Sequence, residues 1–237
     1  MAFPFKPVES RRLYQQIADQ IRALIEQGGF EPGTRLPPER DLAQQLGVSR
    51  PSLREALIAL DVEGRVEVRS NSGVFVSAVQ PEPAPRKTAA MGESPSQLME
   101  ARSVIEGEVV VLACARISDE GVARLRTLLK RMEAEIGRQA RVDFDREFHL
   151  TLSEASGNAV LTRLVSELFD ERHSPISAKM SSRLESTRTW KAALKEHEAI
   201  LAAVEARDPI AAQVAMRAHL KASALRWWAT EVDATRS

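Results

Sequence analysis

The stretch LPPERDLAQQLGVSRPSLREALIAL, residues 36–60, decides the fold of the N-terminal part of the chain. Pro37 and Pro38 stand where proline is best tolerated, at the entry to a helix, and Gly47 ends that helix about nine residues later. Ser49 has the side chain of an N-cap for the next helix, whose leucines recur on one face. Two short helices are therefore predicted to meet through a tight turn at Gly47.

A further helix and a hairpin flank this pair. Residues 11–27 carry apolar side chains at spacings of three and four, which is typical of a half-buried helix. After Gly64, the short runs RVEVR and VFVS are separated by a Ser-Asn-Ser-Gly segment and predict a β-hairpin. This order of elements predicts that residues 1–77 form a winged helix-turn-helix domain, whose third helix enters the major groove of DNA.

Polar side chains lie where DNA binding would need them. Four of them crowd the start of the third helix, on the side away from its leucines: Ser49, Arg50, Ser52 and Arg54. A helix N-terminus favours phosphate and arginine can pair with guanine, while Arg40 and Arg69 could hold phosphates from either side. The alternative is an ordinary solvated face, because interleaved acidic residues leave this unit almost neutral.

The remainder of the chain is helical in pattern. Residues 78–95 are rich in proline, alanine and charge without periodicity, and predict a linker. Helices are predicted at 96–116, 119–138, 142–155, 159–172, 188–206 and 209–231, with 173–187 ambiguous. Short joints between them predict an antiparallel bundle of about six or seven helices over residues 96–233. The predicted fold class is mainly α, a winged helix-turn-helix followed by an all-α bundle.

Composition limits the partners and the compartment. Lys plus Arg and Asp plus Glu both number 33, so DNA binding must depend on local placement of charge. Cys114 is the single cysteine and lies in an apolar run, which fits a buried thiol in a reducing cytoplasm. The N-terminus lacks a signal-peptide pattern and no apolar run approaches the roughly 18 residues of a membrane span. We therefore expect a cytoplasmic protein with no membrane partner.

Three of the four histidines fall on predicted helices of the bundle: His149, His197 and His219. Asp145 precedes His149 by four positions, which places both side chains on one helical face. Three imidazoles and one carboxylate match Zn²⁺, and Ni²⁺ or Mn²⁺ less selectively. The alternative is that the histidines are structural, since the sequence does not show that the helices converge.

The same ligands could serve a metal-dependent hydrolase or a metal sensor. A hydrolase needs a general base, which the glutamate of a helical H-E-x-x-H motif supplies, and none follows His149 directly. Glu198 follows His197, but no second histidine stands at helical spacing. A mixed nitrogen and oxygen site without thiolate selects poorly among divalent ions, which argues against a sensor. The pattern favours a structural or ligand-holding metal in a protein that is not an enzyme.

Residues 14–77, with LPPER, VSRPSLREAL and GVFVS in order, resemble the DNA-binding domain of GntR-family bacterial transcription regulators. The resemblance implies that the wing near Gly73 contacts operator DNA, together with Arg40, Ser49, Arg50, Ser52 and Arg54. Arg69 is a candidate from its position alone. In the wing, many members carry a glycine and a basic residue where Asn71 and Ser72 stand.

The stretches DREFHLTLSEASGN, EHEAILAAVEARDPIAAQ and MRAHL resemble the C-terminal effector domain of the FadR subfamily, abbreviated FCD. The resemblance implies that Asp145, His149, His197 and His219 bind a divalent metal at the floor of an effector pocket. Arg102, in the pattern E-x-R-x-x-x-E, resembles an arginine that pairs with a carboxylate effector, although it could simply bridge Glu106 one turn on.

Trp190 could line the same pocket. The sequence resembles regulators of uronate catabolism, which implies a ligand-responsive repressor whose effector is a sugar acid such as a hexuronate or an aldonate. A dicarboxylate, lactate or another hydroxy acid stays open as the effector. A homodimer is expected, because one DNA-binding domain covers few base pairs and paired half-sites raise affinity.

Overall fold

The structure is a computed structural model that describes residues 12–69, 72–78, 91–136, 141–184 and 186–228. The chain divides into two compact units, Met1–Ser94 and Pro95–Ser237. Most of the predicted linker lies outside the described residues, as does Asn71 of the wing. The boundaries 1–77, 78–95 and 96–233 stay predictions.

The first unit is the predicted winged helix-turn-helix. Its elements are α1 (Leu13–Glu26), α2 (Glu39–Leu46), α3 (Arg50–Val62), β1 (Val66–Arg69) and β2 (Gly73–Val76). Gly47 ends α2 in the left-handed region at φ 65°, and the Ser49 hydroxyl caps α3 by accepting the Ser52 N–H. The two strands pair antiparallel with Val66 opposite Val76, which confirms the hairpin.

Helix α1 packs on α3 to form the core of this unit. Tyr14, Ile17 and Ile21 of α1 are buried, as are Leu53 and Leu57 of α3, so both predicted apolar stripes face inward. Residues 92–94, inside the predicted linker, also contact this unit. The Tyr14 hydroxyl donates to the Gly92 carbonyl at 2.9 Å, and the Ser94 hydroxyl donates to the buried Glu55 carboxylate at 2.8 Å.

The second unit is helical throughout its described residues, as predicted. Its helices are α4 (Pro95–Arg116), α5 (Asp119–Ala134), α6 (Arg141–Ala155), α7 (Ala159–Asp170), α8 (Pro175–Leu184), α9 (Thr187–Glu205) and α10 (Pro209–Trp228). The ambiguous segment 173–187 therefore contains a helix, α8, which follows a short 3₁₀ turn at Glu171–His173. Within the described ranges, no helix combines the length and apolar content needed to cross a membrane.

Packing in the second unit directs four helices toward one interior. Helix α10 packs along α4 and α9, while α6 packs on α4 and α5. Helix α10 approaches α4 closely at Gly107, where an added Cβ would lie 2.8 Å from Nε of Arg217 and the Arg217 side chain would have to move. Cys114 is fully buried, which confirms it as a core residue. Polar side chains from α4, α6, α9 and α10 meet in this interior and form the candidate site.

Candidate functional site

The four predicted metal ligands converge in the second unit. Asp145 and His149 come from α6, His197 from α9 and His219 from α10. One potential ligand atom from each lies within 4.8 Å of the others, and all four residues are buried. The fold therefore brings together residues from helices as distant in the sequence as α6 and α10, in a group that could hold a metal ion.

The imidazole rings are oriented as metal ligands. Nδ1 of His149 contacts the Glu106 carboxylate, Nδ1 of His197 lies 2.8 Å from the Ala193 carbonyl, and Nδ1 of His219 lies 2.9 Å from Glu196 Oε2. A carbonyl or carboxylate can only accept, so each Nδ1 carries the proton and each Nε2 offers a lone pair. This pattern of outer partners is the usual one for histidines that bind metal.

The spacing of the ligand atoms also fits a metal. Nε2 of His149 and Nε2 of His197 are 3.2 Å apart, and Asp145 Oδ1 is 3.2 Å from Nε2 of His197. Two unprotonated nitrogens cannot hydrogen-bond to each other, so their approach is unfavourable unless a cation lies between them. Two nitrogens on a tetrahedral Zn²⁺ are about 3.3–3.4 Å apart, given Zn–N bonds of roughly 2.0–2.1 Å.

Burial sets the charge of the cluster. Burial lowers the pKa of His149, and burial together with nearby His197 lowers the pKa of His219 to about 3, so both rings are neutral near pH 7. Burial would raise the pKa of Asp145, but the positive charge of Arg172 holds that pKa well below its usual range. The ionised Asp145 also accepts from Nη1 of Arg172 at 2.7 Å through Oδ2.

A cleft with about 450 Å³ of empty volume, part of it open solvent, adjoins the cluster, and both Asp145 and His219 line it. Its other walls include three arginines, two tryptophans and two hydroxyl side chains, namely Arg102, Arg172, Arg226, Trp190, Trp227, Thr189 and Ser223. The structure places the predicted pocket residues Arg102 and Trp190 together beside the four candidate metal ligands.

The sequence allows Arg102 either to face the pocket or to bridge Glu106, and in the structure it does both. Its Nε donates to Glu106 Oε1 at 2.6 Å, while its guanidinium lines the cleft and stacks on the Phe169 ring with Cζ 3.9 Å from the ring centroid. Nη2 of Arg102 is buried and has no hydrogen-bond partner within the described part of the chain. An unsatisfied buried donor costs about 1–3 kcal/mol, and more when it is charged, so this nitrogen favours a bound anion.

The predicted DNA-binding side chains lie around the start of α3 and along the wing. Arg50 is exposed in the first turn of α3 and, in the described part of the chain, makes no hydrogen bond or ion pair. Arg40 is also exposed, and its Nε donates to Oδ1 of the neighbouring Asp41 at 3.1 Å. These two arginines are available for a polyanion, whereas Ser49 and Ser52 share a hydrogen bond of 2.8 Å at the helix cap.

Arg54, Arg69 and Gly73 are placed differently. The Arg54 side chain is only 11% exposed and its Nη2 is held by Glu39 at 2.5 Å, so a contact to DNA would require it to exchange that partner. Arg69 stacks on Phe75 and pairs with Glu67 at 2.8 Å. Gly73 has φ 101°, and a Cβ there would lie 2.7 Å from Nε of Arg35, so this position requires glycine.

Comparison with known proteins accounts for both units. Residues 13–76 match the family described as bacterial regulatory proteins, gntR family, and residues 97–222 match the FCD domain. The chain belongs to the GntR family of transcriptional regulators. Both resemblances seen in the sequence are thereby confirmed, and the mostly helical fold agrees with them.

Three relatives of this GntR-family regulator come from Escherichia coli K12. The Uxu operon transcriptional regulator is 34% identical over 219 residues, which are 90% of this chain and 85% of that protein. The Exu regulon transcriptional regulator is 35% identical over 219 residues, with coverage of 90% and 83%. The putative L-lactate dehydrogenase operon regulatory protein is 34% identical over 222 residues, with coverage of 89% and 84%. These relatives are regulators, which confirms the prediction that this protein is not an enzyme.

Sequence reasoning does not reveal several residues that line the cleft or support the cluster. The sequence presents Glu106 only as a partner of Arg102, yet Glu106 also accepts from His149. Glu196, Arg172 and Arg226 were not singled out at all. Two of them carry a usable signal, since Glu196 directly precedes His197 and Arg226 stands seven positions after His219, on the same face of a helix.

Proposed function

We propose that this regulator is a ligand-responsive repressor of a catabolic operon, and that its effector is a small organic acid held beside a bound divalent metal. The observation that carries the proposal is Arg102, which lines a cleft together with Asp145 and His219 and whose buried Nη2 has no hydrogen-bond partner among the described residues. A carboxylate that accepts from this nitrogen would remove the cost of the unsatisfied donor. The effector is therefore an anion.

Among organic acids, a sugar acid such as a hexuronate or an aldonate suits this cleft. Ser223 offers a hydroxyl that can donate to and accept from a sugar hydroxyl, and Thr189, whose hydroxyl donates to the Ser186 carbonyl at 2.9 Å, keeps acceptor capacity. Trp190 and Trp227 add flat apolar surface for the C–H face of a sugar. The names of two relatives, the Uxu operon and Exu regulon regulators, agree with this class, and the L-lactate dehydrogenase operon regulator keeps hydroxy acids as the second candidate.

The proposed metal is Zn²⁺, with Ni²⁺ or Mn²⁺ as alternatives, bound by Asp145, His149, His197 and His219. A bound divalent ion supplies positive charge at the edge of the cleft, where it favours an anionic ligand. Arg172 donates to Oδ2 of Asp145, and Oδ1 of the same carboxylate lies beside His197, where it could bind the metal.

The proposed output is a change in operator binding by a homodimer. Arg50 and Ser52 would approach base edges, while Arg40, Ser49, Arg69 and the wing at Gly73 would hold the backbone; Arg54 would join them only by releasing Glu39. Two such units match two half-sites of an operator. Effector binding would shift the population of dimers whose units fit that spacing, because the effector has different affinities for the two states.

A thermal-shift screen of the Zn²⁺-loaded protein tests this function. The panel is D-glucuronate, D-galacturonate, D-gluconate, L-lactate and succinate. A ligand at 100 times its Kd adds about 2.7 kcal/mol of stability, which raises Tm by roughly 5–10 °C for a chain of this size. We expect the largest shift from one of the sugar acids. If no member of the panel shifts Tm, the organic-acid proposal is wrong.

Arg102→Lys should weaken binding of the best acid by roughly tenfold to a hundredfold, because a charge-assisted hydrogen bond is worth about 1.5–3 kcal/mol. Lysine keeps a charge for Glu106 but loses the planar fork. The matched control is Arg163→Lys, since Arg163 is an exposed arginine on α7. Equal affinities in the two variants, measured by calorimetric titration, would remove Arg102 from the effector site.

A further inference from the structure

Glu196 on α9 joins a candidate metal ligand to the wall of the cleft. Its Oε2 accepts from Nδ1 of His219 at 2.9 Å. The same carboxylate binds both terminal nitrogens of Arg226, with Nη1 2.6 Å from Oε1 and Nη2 2.9 Å from Oε2. His219 and Arg226 both line the cleft, and Trp227, the next residue, lines it as well. One carboxylate therefore fixes two functional parts of α10.

The opposite side of the cluster has the same arrangement. There Glu106 contacts Nδ1 of His149 and accepts from Nε of Arg102 at 2.6 Å. In each case a carboxylate is shared between an imidazole of the cluster and an arginine of the cleft. Glu106 is almost fully buried, whereas the Glu196 side chain is 23% exposed and is the better position for substitution.

We propose that Glu196 is a positioning residue that couples metal binding at His219 to the wall formed by Arg226 and Trp227. A metal on Nε2 of His219 makes its Nδ1–H a stronger donor, which tightens the hydrogen bond to Glu196. A fixed carboxylate holds the Arg226 fork in one plane, and the guanidinium shares the cleft with Trp227, whose surroundings change when Arg226 is ordered. Metal loading thus prepares the cleft for its ligand, and by linkage a ligand that orders Arg226 strengthens metal binding.

The inference depends on the proposed function in one respect, that the cluster binds a metal. It is tested by titrating Zn²⁺ into the metal-free, full-length protein, with Kd measured by chelator competition. Tryptophan fluorescence is recorded in parallel, because Trp190 and Trp227 line the cleft and Zn²⁺ has no d-electron transitions that would quench them. The variants are Glu196→Gln and, as a matched control, Glu198→Gln, which removes the same charge from an exposed position of the same helix.

We expect Glu196→Gln to raise the Zn²⁺ Kd about 10–100-fold, the usual cost of losing an outer partner of a metal-bound histidine. At saturating Zn²⁺ it should also lose the fluorescence change of the wild type, while Glu198→Gln keeps both properties. Arg226→Met provides a second route, since it leaves the hydrogen bond between His219 and Glu196. It should lose the fluorescence change with a smaller loss of Zn²⁺ affinity.

Three results would overturn the coupling while leaving the metal site in place. The first is a wild-type protein that binds Zn²⁺ without a fluorescence change. The second is a Glu196→Gln protein with wild-type Zn²⁺ affinity. The third is a Glu196→Gln or Arg226→Met protein that keeps the full fluorescence change at saturating Zn²⁺. A wild type that binds no Zn²⁺ is a different failure, because it removes the metal from the proposed function itself.

Discussion

His149→Ala protein will bind Zn²⁺ roughly a hundredfold to a thousandfold more weakly than the wild type. Four-ligand zinc sites contribute about 10–16 kcal/mol, so one ligand accounts for roughly 2.5–4 kcal/mol, and each factor of ten in Kd is about 1.4 kcal/mol. His149 is buried beside Asp145 and His197, and no other imidazole among the described residues lies near enough to replace it. The loss should therefore be close to that of a full ligand.

The matched control is His173→Ala. His173 is exposed in the 3₁₀ turn before α8 and is not a member of the cluster. Metal content after extensive dialysis, measured by mass spectrometry, should fall to a small fraction of one ion per chain for His149→Ala and stay at the wild-type value for the control. Equal metal content in the two variants would exclude His149 from the site.

The sequence predicted the four ligands because each one lies in a stretch that resembles the FCD domain, and because Asp145 and His149 share a helical face. It did not show that α6, α9 and α10 converge, since residues about fifty positions apart meet only through tertiary packing. Glu106 and Glu196 were missed as partners of histidines for the same reason. A carboxylate on a helix has the same local pattern whether it faces solvent or a ring on another helix.

The same holds for the fold: elements defined by a local sequence pattern are predictable, whereas contacts between distant segments are not. Helices with long apolar stripes and clear caps, such as α3 and α9, were predicted to within a few residues. Helix α8 is ambiguous in the sequence because, among its described side chains, the buried stripe consists of Ile176, Ser177 and Met180, which is short and partly polar. Arg54 on α3 pairs with Glu39 on α2. The helical pattern shows only that Arg54 faces away from the leucines of α3, and it carries no information about a partner on another helix.

Arg50→Ala should abolish specific operator binding without changing the fold. One bidentate contact between arginine and guanine is worth about 1–3 kcal/mol, and a dimer would lose it at both half-sites, which weakens binding roughly 30-fold to more than 10⁴-fold. Arg50 is exposed and has no partner in the described structure, so its removal should alter stability by less than about 0.5 kcal/mol. Thermal melting followed by circular dichroism checks this point.

The DNA is an operator selected by the wild-type protein from random sequences, and fluorescence anisotropy is measured at several salt concentrations. Arg40→Ala is the informative comparison, because a lost phosphate contact weakens binding to all sequences alike and lowers the slope of log K against log salt by about one. Arg50→Ala should instead lower the ratio of specific to non-specific affinity. If that ratio stays at its wild-type value, Arg50 does not contact bases, and recognition must depend on other residues or on DNA shape.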